Sequence, residues 1–361
     1  MRSLSIWAGI CALFVGGCGP GCGSQAGDRA EATVPPPAVA PKSAPPSIPA
    51  ATPIEETPPA PALEPKRAPS TSIGSPSNGR LESGEALPPE GPGFLRNPKS
   101  PNAEAVYGTN EMIAGLVRAA AKVHGRHPGS RVVINDVGMP GGGPIYHHGS
   151  HQAGRDVDVL FFYRYAKTGE PFDSKGIPIE PDGTGDDYGD LTDPKDDVKV
   201  RFDAPRTWAL MEALVTDPEL DIQRIFIVEH VRTMLLDYAT KSKAPAAAIE
   251  RFSDVTCQPS TPHDDHFHMR IYCSAEDIAA GCEDAQPIYP WQRERLASLG
   301  LEPVIAKPRR GPKARAEVEA RTVSQEEAVA EMGPMHPRVR AFLKRQETWS
   351  KQPHPGRRYC K

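Results

Sequence analysis

Aromatic side chains are scarce in this chain, 6% of its 361 residues, and its mean hydropathy is low at -0.47. The apolar run from Leu4 to Val15 is about a dozen residues, too short for a helix that must cross a bilayer of roughly 30 Å. Positive charge is not in excess: the formal net charge is -4, which argues against a general nucleic-acid binder. No G-x-S-x-G elbow occurs, and no Ser is followed by Lys three positions on. A serine hydrolase therefore has little support, and Lys167-Thr168-Gly169, which matches one element of a serine acyl-transfer site, is read as a turn. Asp182, Asp186, Asp187 and Asp190, with Gly183, Gly185 and Gly189, lack the spacing of an EF-hand loop, so they read as a solvated acidic loop. There is no internal repeat.

Proline, by contrast, is abundant at 41 residues and unevenly placed, which predicts one globular domain with irregular flanks. Arg2 ahead of the short apolar run and the small residues after it read as a secretory signal. Val15-Gly16-Gly17-Cys18 looks like a bacterial lipobox, which makes residues 1–18 a lipoprotein-type signal and Cys18 the lipidated residue; Cys22 is less well placed, and the competing reading is an ordinary signal cut nearby. Residues 19–70 are rich in Pro, Ala, Ser and Glu and cannot bury enough apolar surface to fold. As extended polyproline II they form a tether reaching on the order of 150 Å. Residues 301–361 carry 14 Lys and Arg against 7 Asp and Glu, a basic tail suited to an anionic polymer or membrane surface, though a solvated tail is the blander reading. Seven cysteines fit an exported protein, and a bridge between Cys257 and Cys273 would clamp the segment between them, although spacing alone does not fix connectivity.

The expected folded domain, residues 71–300, shows mixed periodicities. Met112, Leu116, Ala119, Ala120 and Val123 have helical spacing, and Ala204 to Thr216 reads as a helix with Trp208, Met211, Leu214 and Val215 on one face. Strands are predicted at Arg131–Val137, around Val157, Val159 and Phe161, at Ile225–Val228, and at His266–Tyr272 with Phe267, Met269 and Ile271 inward. Strands and helices without a regular βαβ beat indicate an α+β fold.

Two segments carry the chemistry. In His151-Gln152-Ala153-Gly154-Arg155-Asp156-Val157-Asp158, a loop histidine and a strand aspartate flank a glycine turn that can bring them to one point. In His263-Asp264-Asp265-His266-Phe267-His268, the period of two puts His266 and His268 on one strand face, so one can bind metal while the other stands beside an open coordination position. Two His and one Asp plus water is a common catalytic zinc set, and a nearby neutral His can move a proton. A lone H-x-H is weak, and His124, His127, His230, His336 and His354 read as ordinary surface or hydrogen-bonded histidines. Two histidine clusters about a hundred residues apart, each beside a strand pattern, are a stronger signal for metal. His147 and His148 offer alternative ligands.

The pattern H-x-x-G-x-x-x-D followed by H-x-H resembles the zinc peptidases that include lysostaphin, D-alanyl-D-alanine peptidases and the hedgehog signalling domain. Ser72-Ile73-Gly74-Ser75, Asn78-Gly79, Ala86-Leu87-Pro88, Gly138-Met139-Pro140, Ser150-His151-Gln152, Asp156-Val157-Asp158 and the 263–268 cluster together resemble the penicillin-insensitive murein endopeptidases, from about Ser72 to Glu283. That resemblance implies a central antiparallel sheet with flanking helices and a zinc-bearing cleft. It implies one Zn2+ held by His151, Asp158 and His268, His266 as general base, and His263 and His148 in supporting roles along the cleft. It further implies hydrolysis of the D-alanyl–meso-diaminopimelyl cross-link of peptidoglycan, without an acyl-enzyme, by a periplasmic protein anchored through Cys18. A D,D-carboxypeptidase acting on uncrosslinked stems and a non-catalytic zinc domain serving as a murein anchor are the rival readings. The chain departs from the family at Arg80, where a Cys usually follows the Asn-Gly, so one family disulfide lacks a partner here.

Overall fold

The computed structural model describes residues 69–146, 148–173, 176–187, 195, 197–259, 263–307, 336–351 and 360. The signal segment, Cys18, Cys22 and the Pro-rich stretch through residue 68, with His147, Gly189, Asp190, His354 and residues 308–335, lie outside the described residues.

A hairpin of β1 (Thr71–Ser75) and β2 (Asn78–Glu82) comes first, and the short β3 (Glu85–Ala86) pairs with β6 (Tyr107–Gly108). Seven strands form the main sheet: β4 (Glu90–Gly91), β5 (Phe94–Arg96), β7 (Val132–Ile134), β8 (Asp156–Leu160), β13 (Ile222–Phe226), β14 (Thr256–Cys257) and β15 (His266–Ile271), in the spatial order β14-β13-β15-β8-β7-β5-β4. A second, four-stranded antiparallel sheet in the order β10-β9-β12-β11 is built from β9 (Tyr163–Tyr165), β10 (Pro171–Phe172), β11 (Thr184–Asp187) and β12 (Val198–Phe202). The helices are α1 (Asn110–Arg126), α2 (Ala204–Val215), α3 (Glu229–Lys241), α4 (Ala246–Val255), α5 (Ala275–Ala279), α6 (Pro290–Ser298) and α7 (Pro337–Lys351). The fold is α+β, as the mixed periodicities predict. Among the described residues, no helix is long and apolar enough to cross a membrane.

The expectation of an antiparallel sheet needs one correction. The inner strands β13, β15, β8 and β7 are antiparallel, but β14 pairs parallel to β13 and β5 pairs parallel to β7. Each parallel partner is reached through a helical crossover, α1 between β5 and β7, α3 and α4 between β13 and β14, which lets the chain re-enter in the same direction.

Helix α1 forms where the spacing predicts it, and Met112, Ile113, Leu116, Ala119, Ala120 and Val123 make its buried stripe. Burying a side chain the size of Met112 or Leu116 contributes about 1.5–3 kcal/mol. Helix α2 is started by Asp203, whose carboxylate accepts from the Arg206 backbone N–H, with a proline in the first turn. Both helices share one hydrophobic cluster with Val157, Val159, Ile225, Phe267, Met269 and Ile271 of the sheet. That cluster covers one face of β8 and β15. By the period of two, Asp156, Asp158, His268 and Arg270 lie on the opposite face. They too are buried, so these two strands are enclosed on both sides, one apolar and one ionic.

The ionic side is staked by Arg155. Its fully buried guanidinium donates to Ser72 Oγ (3.0 Å), the Ile271 carbonyl (3.0 Å), Asp284 Oδ1 (2.9 Å) and the Glu283 carbonyl (2.9 Å). It joins β1, the end of β15 and the segment after α5 immediately beside β8, and leaving Asp284 buried without it would cost about 3–5 kcal/mol.

The cysteines pair differently from the Cys257–Cys273 clamp. The bridges are Cys257–Cys360, with Cα atoms 5.1 Å apart, and Cys273–Cys282, at 6.0 Å. Cys257 is level with Phe226, and hence with His268 two strands away, whereas Cys273 lies five residues past His268, beyond the end of β15. Five residues of strand span roughly 16 Å, far beyond the Cα separation a disulfide allows. Arg80 forms an exposed ion pair with Glu82.

Candidate metal centre

The antiparallel register of β8 and β15 sets His268 directly across from Asp158 and Arg270 across from Asp156. Directly paired residues point to the same side, so one aspartate and one histidine meet on the ionic face. His151 arrives from the loop before β8. Its backbone is left-handed (φ 66°), Gly154 follows at φ 70°, and the loop is tied back by the His151 N–H donating to Asp156 Oδ2 at 3.3 Å. At Gly154 a Cβ would stand 2.8 Å from the Leu81 side chain, so glycine is required there by space as well as by torsion. Left-handed torsion at a fully buried histidine costs on the order of 1–3 kcal/mol and tends to persist where function needs it.

Three potential donor atoms converge. His151 Nε2 lies 3.4 Å from Asp158 Oδ1 and 3.2 Å from His268 Nδ1, and His268 Nδ1 lies 3.1 Å from Asp158 Oδ1. The outer nitrogen of each ring is engaged elsewhere. His151 Nδ1 is 2.8 Å from the Val137 carbonyl, and His268 Nε2 is 2.7 Å from Asp156 Oδ1. A carbonyl can only accept, so His151 carries its proton on Nδ1 and turns a lone pair inward; Asp156 favours the same arrangement for His268. Asp158 Oδ1 is buried and accepts no hydrogen bond, although three imidazole nitrogens stand 3.1–3.7 Å away. A cation placed between these three atoms would satisfy all of them at once. Ligands about 2.0–2.1 Å from a tetrahedral zinc stand about 3.3 Å apart, which matches these three edges. The donor set therefore fits a zinc ion.

His148, His151 and Asp158 also offer donor atoms that all lie within 4.8 Å of one another. His148 Nδ1 is 3.4 Å from Asp158 Oδ2, and its Nε2 is 2.8 Å from Asp136 Oδ2. Asp136 is itself held by Ser100 Oγ (2.5 Å) and Asn102 Nδ2 (2.6 Å).

His266 stands at the rim, with its side chain 23% exposed and Nε2 3.7 Å from Asp158 Oδ1. Its Nδ1 contacts Asp265 Oδ1 at 2.6 Å. The His263 ring is 4.9 Å from that of His266 and 6.0 Å from that of His268. All six histidine and aspartate positions picked from the sequence thus gather at one place. His124 and His230 lie elsewhere, against the Ser130 and Ile179 carbonyls.

The electrostatics fit a pocket that gathers positive charge. Burial alone would raise the Asp158 and Asp156 carboxyls. For Asp158 the His151 and His266 imidazoles outweigh burial and hold it well below the usual range; for Asp156, Arg270 and then His268 do so. Burial would lower His266, but Asp265 and Asp158 overcome it and push the imidazole up to about 9. Burial likewise opposes protonation of His268, and its contacts with Asp156 and Asp158 reverse the direction upward.

Sequence reading missed three carboxylates that orient these rings. Asp156 was within reach, since it shares a strand face with Asp158. Asp265 was visible as the neighbour of His266. Asp136 follows an apolar strand twelve residues from His148 and carries no local signal.

The family model described as penicillin-insensitive murein endopeptidase matches residues 72–315. Curated proteins of that name are similar to this chain. One from Haemophilus influenzae is 30% identical over 224 residues, covering 61% of this chain and 68% of its own length. One from Klebsiella pneumoniae is 27% identical over 244 residues, covering 67% and 80%, and one from Escherichia coli O157:H7 is 28% identical over 225 residues, covering 61% and 71%. The chain is a member of the penicillin-insensitive murein endopeptidase family.

Proposed function

We propose that the chain is a zinc-dependent peptidoglycan hydrolase that cleaves D-alanyl–meso-diaminopimelyl cross-links, with one Zn2+ held by His151, Asp158 and His268. The observation that carries this reading is the inward convergence of two lone pairs and an unsatisfied carboxylate oxygen, 3.1–3.4 Å apart, in a buried pocket open at His266. The relatives' name supplies the substrate class, murein, and the reaction, endopeptidase cleavage. The likeness to the hedgehog and D-Ala-D-Ala peptidase architecture belongs to this proposal, as does its setting: the periplasm, with a lipid anchor at Cys18, a tether over residues 19–70 and the catalytic domain over 71–300.

A zinc ion in this site supplies Lewis acidity, which makes water nucleophilic near neutral pH and polarises a carbonyl. His266, partly open to solvent and backed by Asp265, takes the proton from the attacking water and returns it to the leaving amine. Asp158 is one of the carboxylates that raise the His266 imidazole, so with its charge engaged by the cation the ring is released toward the neutral form that accepts a proton, and Asp265 is left to orient it. His263 lines the same rim, and His148, fixed by Asp136, stands beside Asp158.

The test is digestion of purified cross-linked muropeptide dimers and of pentapeptide monomers, with products followed by mass spectrometry before and after chelation. Expected is cleavage of dimers to monomers, lost with chelator and restored by zinc. Release of terminal D-alanine from monomers with dimers left intact would establish a D,D-carboxypeptidase instead. Zinc-dependent retention on murein without any product would establish an anchor. A second expected result concerns the carboxylate behind His268. Asp156→Asn keeps the shape but removes the charge from the His268 Nε2 contact, and zinc affinity should fall roughly 10- to 100-fold in competition with a chromophoric chelator.

A further inference from the structure

The segment expected to be a solvated tail contributes helix α7, which meets the loop that carries the proposed base, and Cys360, which is bonded to Cys257 on β14. Val339 and Phe342 are buried on one side of α7. Arg345 forms a two-pronged contact with Glu180 at 2.7 and 3.2 Å, and Arg338 reaches Asp186 at 2.9 Å. The Trp349 indole N–H donates to Asp264 Oδ2 at 2.9 Å, and Gln346 Nε2 donates to the same carboxylate at 3.0 and 3.2 Å. Among the described residues, these are the side-chain donors to Asp264, a carboxylate only 3% exposed. Beyond the helix, Cys360 is bonded to Cys257, and its backbone N–H donates to the Gln258 carbonyl at 3.0 Å.

We propose that α7 is a positioning arm for the catalytic loop, with Trp349 and Gln346 holding Asp264 and the Cys257–Cys360 bridge holding the arm in place. This rests on the reading of His266 as the base. Asp264 directly precedes Asp265, whose carboxylate sets the His266 ring, and His263 on its other side is in a left-handed conformation (φ 50°). The loop backbone is also tied by the Ile179 N–H to the Asp264 carbonyl, by the Val228 N–H to the His263 carbonyl and by the Tyr163 hydroxyl to the Asp265 carbonyl at 3.0 Å. Those bonds hold main-chain carbonyls and leave the Asp264 carboxylate to other donors. The arm supplies the grip on that side chain, and without it a buried carboxylate next to the base-orienting residue loses its donors. Charge complementarity fits the arrangement: the arm brings Arg338 and Arg345 to a rim containing Glu180, Asp186 and Asp197.

The test uses the full chain carrying Trp349→Phe with Gln346→Leu, and separately Cys360→Ser. Turnover of muropeptide dimers should fall roughly ten- to a hundredfold, the order expected when a reacting group is misplaced by about an ångström. KM and zinc content should stay close to those of the wild type, because the arm touches no proposed metal ligand, while the melting temperature should fall by several degrees as Asp264 loses its donors or the long loop loses its bridge. Unchanged turnover, or a loss of turnover that follows loss of zinc or of the folded state at the assay temperature, would overturn the positioning role. Hydrogen–deuterium exchange gives a readout independent of activity: amides of residues 263–267 should exchange faster in both variants while those of α1 and α2 do not. Protection that stays at the wild-type level refutes the arm even if the wild type proves not to be an endopeptidase. Inert wild-type protein with faster exchange in the variants would sink only the functional reading.

Discussion

A His268→Ala protein is expected to lose bound zinc and peptidoglycan cleavage together, with turnover down at least roughly a thousandfold. His268 supplies one of the three inward donor atoms, and its other nitrogen is fixed by Asp156. Alanine leaves His151 and Asp158 facing a gap and removes the histidine that draws the Asp158 and Asp156 charges together. The fold should survive, because Phe267 and Met269, on the other face of β15, keep their packing, and Arg270 still pairs with Asp156 at 2.6 Å. Elemental analysis of gel-filtered protein together with the dimer-cleavage assay checks both halves. The same experiment separates two ligand sets. His148 also approaches Asp158, so a protein that keeps stoichiometric zinc without His268 but loses it without His148 would reassign the ion to His148, His151 and Asp158.

The parts of this site that were legible in the sequence are those whose geometry is local. A period of two and a fixed pairing register are enough to put His266 and His268 on one face, and a glycine three residues after His151 announces the turn that brings the loop to the strand. Long periodic segments were legible for the same reason: α1 and α2 lie within a few residues of their apolar patterns. The strand pattern at 225–228 was shifted, since Ile227 and Val228 are buried beyond the end of β13 and apolar burial alone does not distinguish a strand from the loop after it. The inward side of β15 was half legible. Phe267, Met269 and Ile271 were placed in the core, but His268 and Arg270 are equally buried, because ion pairs rather than water satisfy their face. The disulfides and α7 were not legible. The Cys257–Cys360 partners lie 103 residues apart and Arg345 of α7 lies 165 from Glu180, and a basic, Pro-flanked segment gives no hint that Phe342 and Trp349 find a docking surface.

The complementary outcome is expected at His266. Alanine there should leave zinc content unchanged and lower turnover by roughly a hundred- to ten-thousandfold, the range that a positioned acid–base group supplies. The reasoning is positional. His266 Nε2 is 3.7 Å from Asp158 Oδ1, against 3.1 Å for His268 Nδ1, and His266 alone of the three nearest imidazoles keeps a substantial opening to solvent. A group in that position can meet a water or a leaving amine without being needed to hold the ion. Its Nδ1 is committed to Asp265, which fixes the ring so that Nε2 is the atom presented to the cleft. Asp265→Asn, which keeps the contact but removes the charge, should therefore give a smaller loss than His266→Ala in the same direction, with zinc again retained. If His266→Ala protein released its zinc, the residue would be a ligand and a different group would have to carry the proton; if it cleaved dimers at the wild-type rate, no base would be required from this strand at all. Either result is read from the same two measurements made on His268→Ala, so the pair of substitutions assigns ligand and base to two histidines that sit two residues apart on one strand.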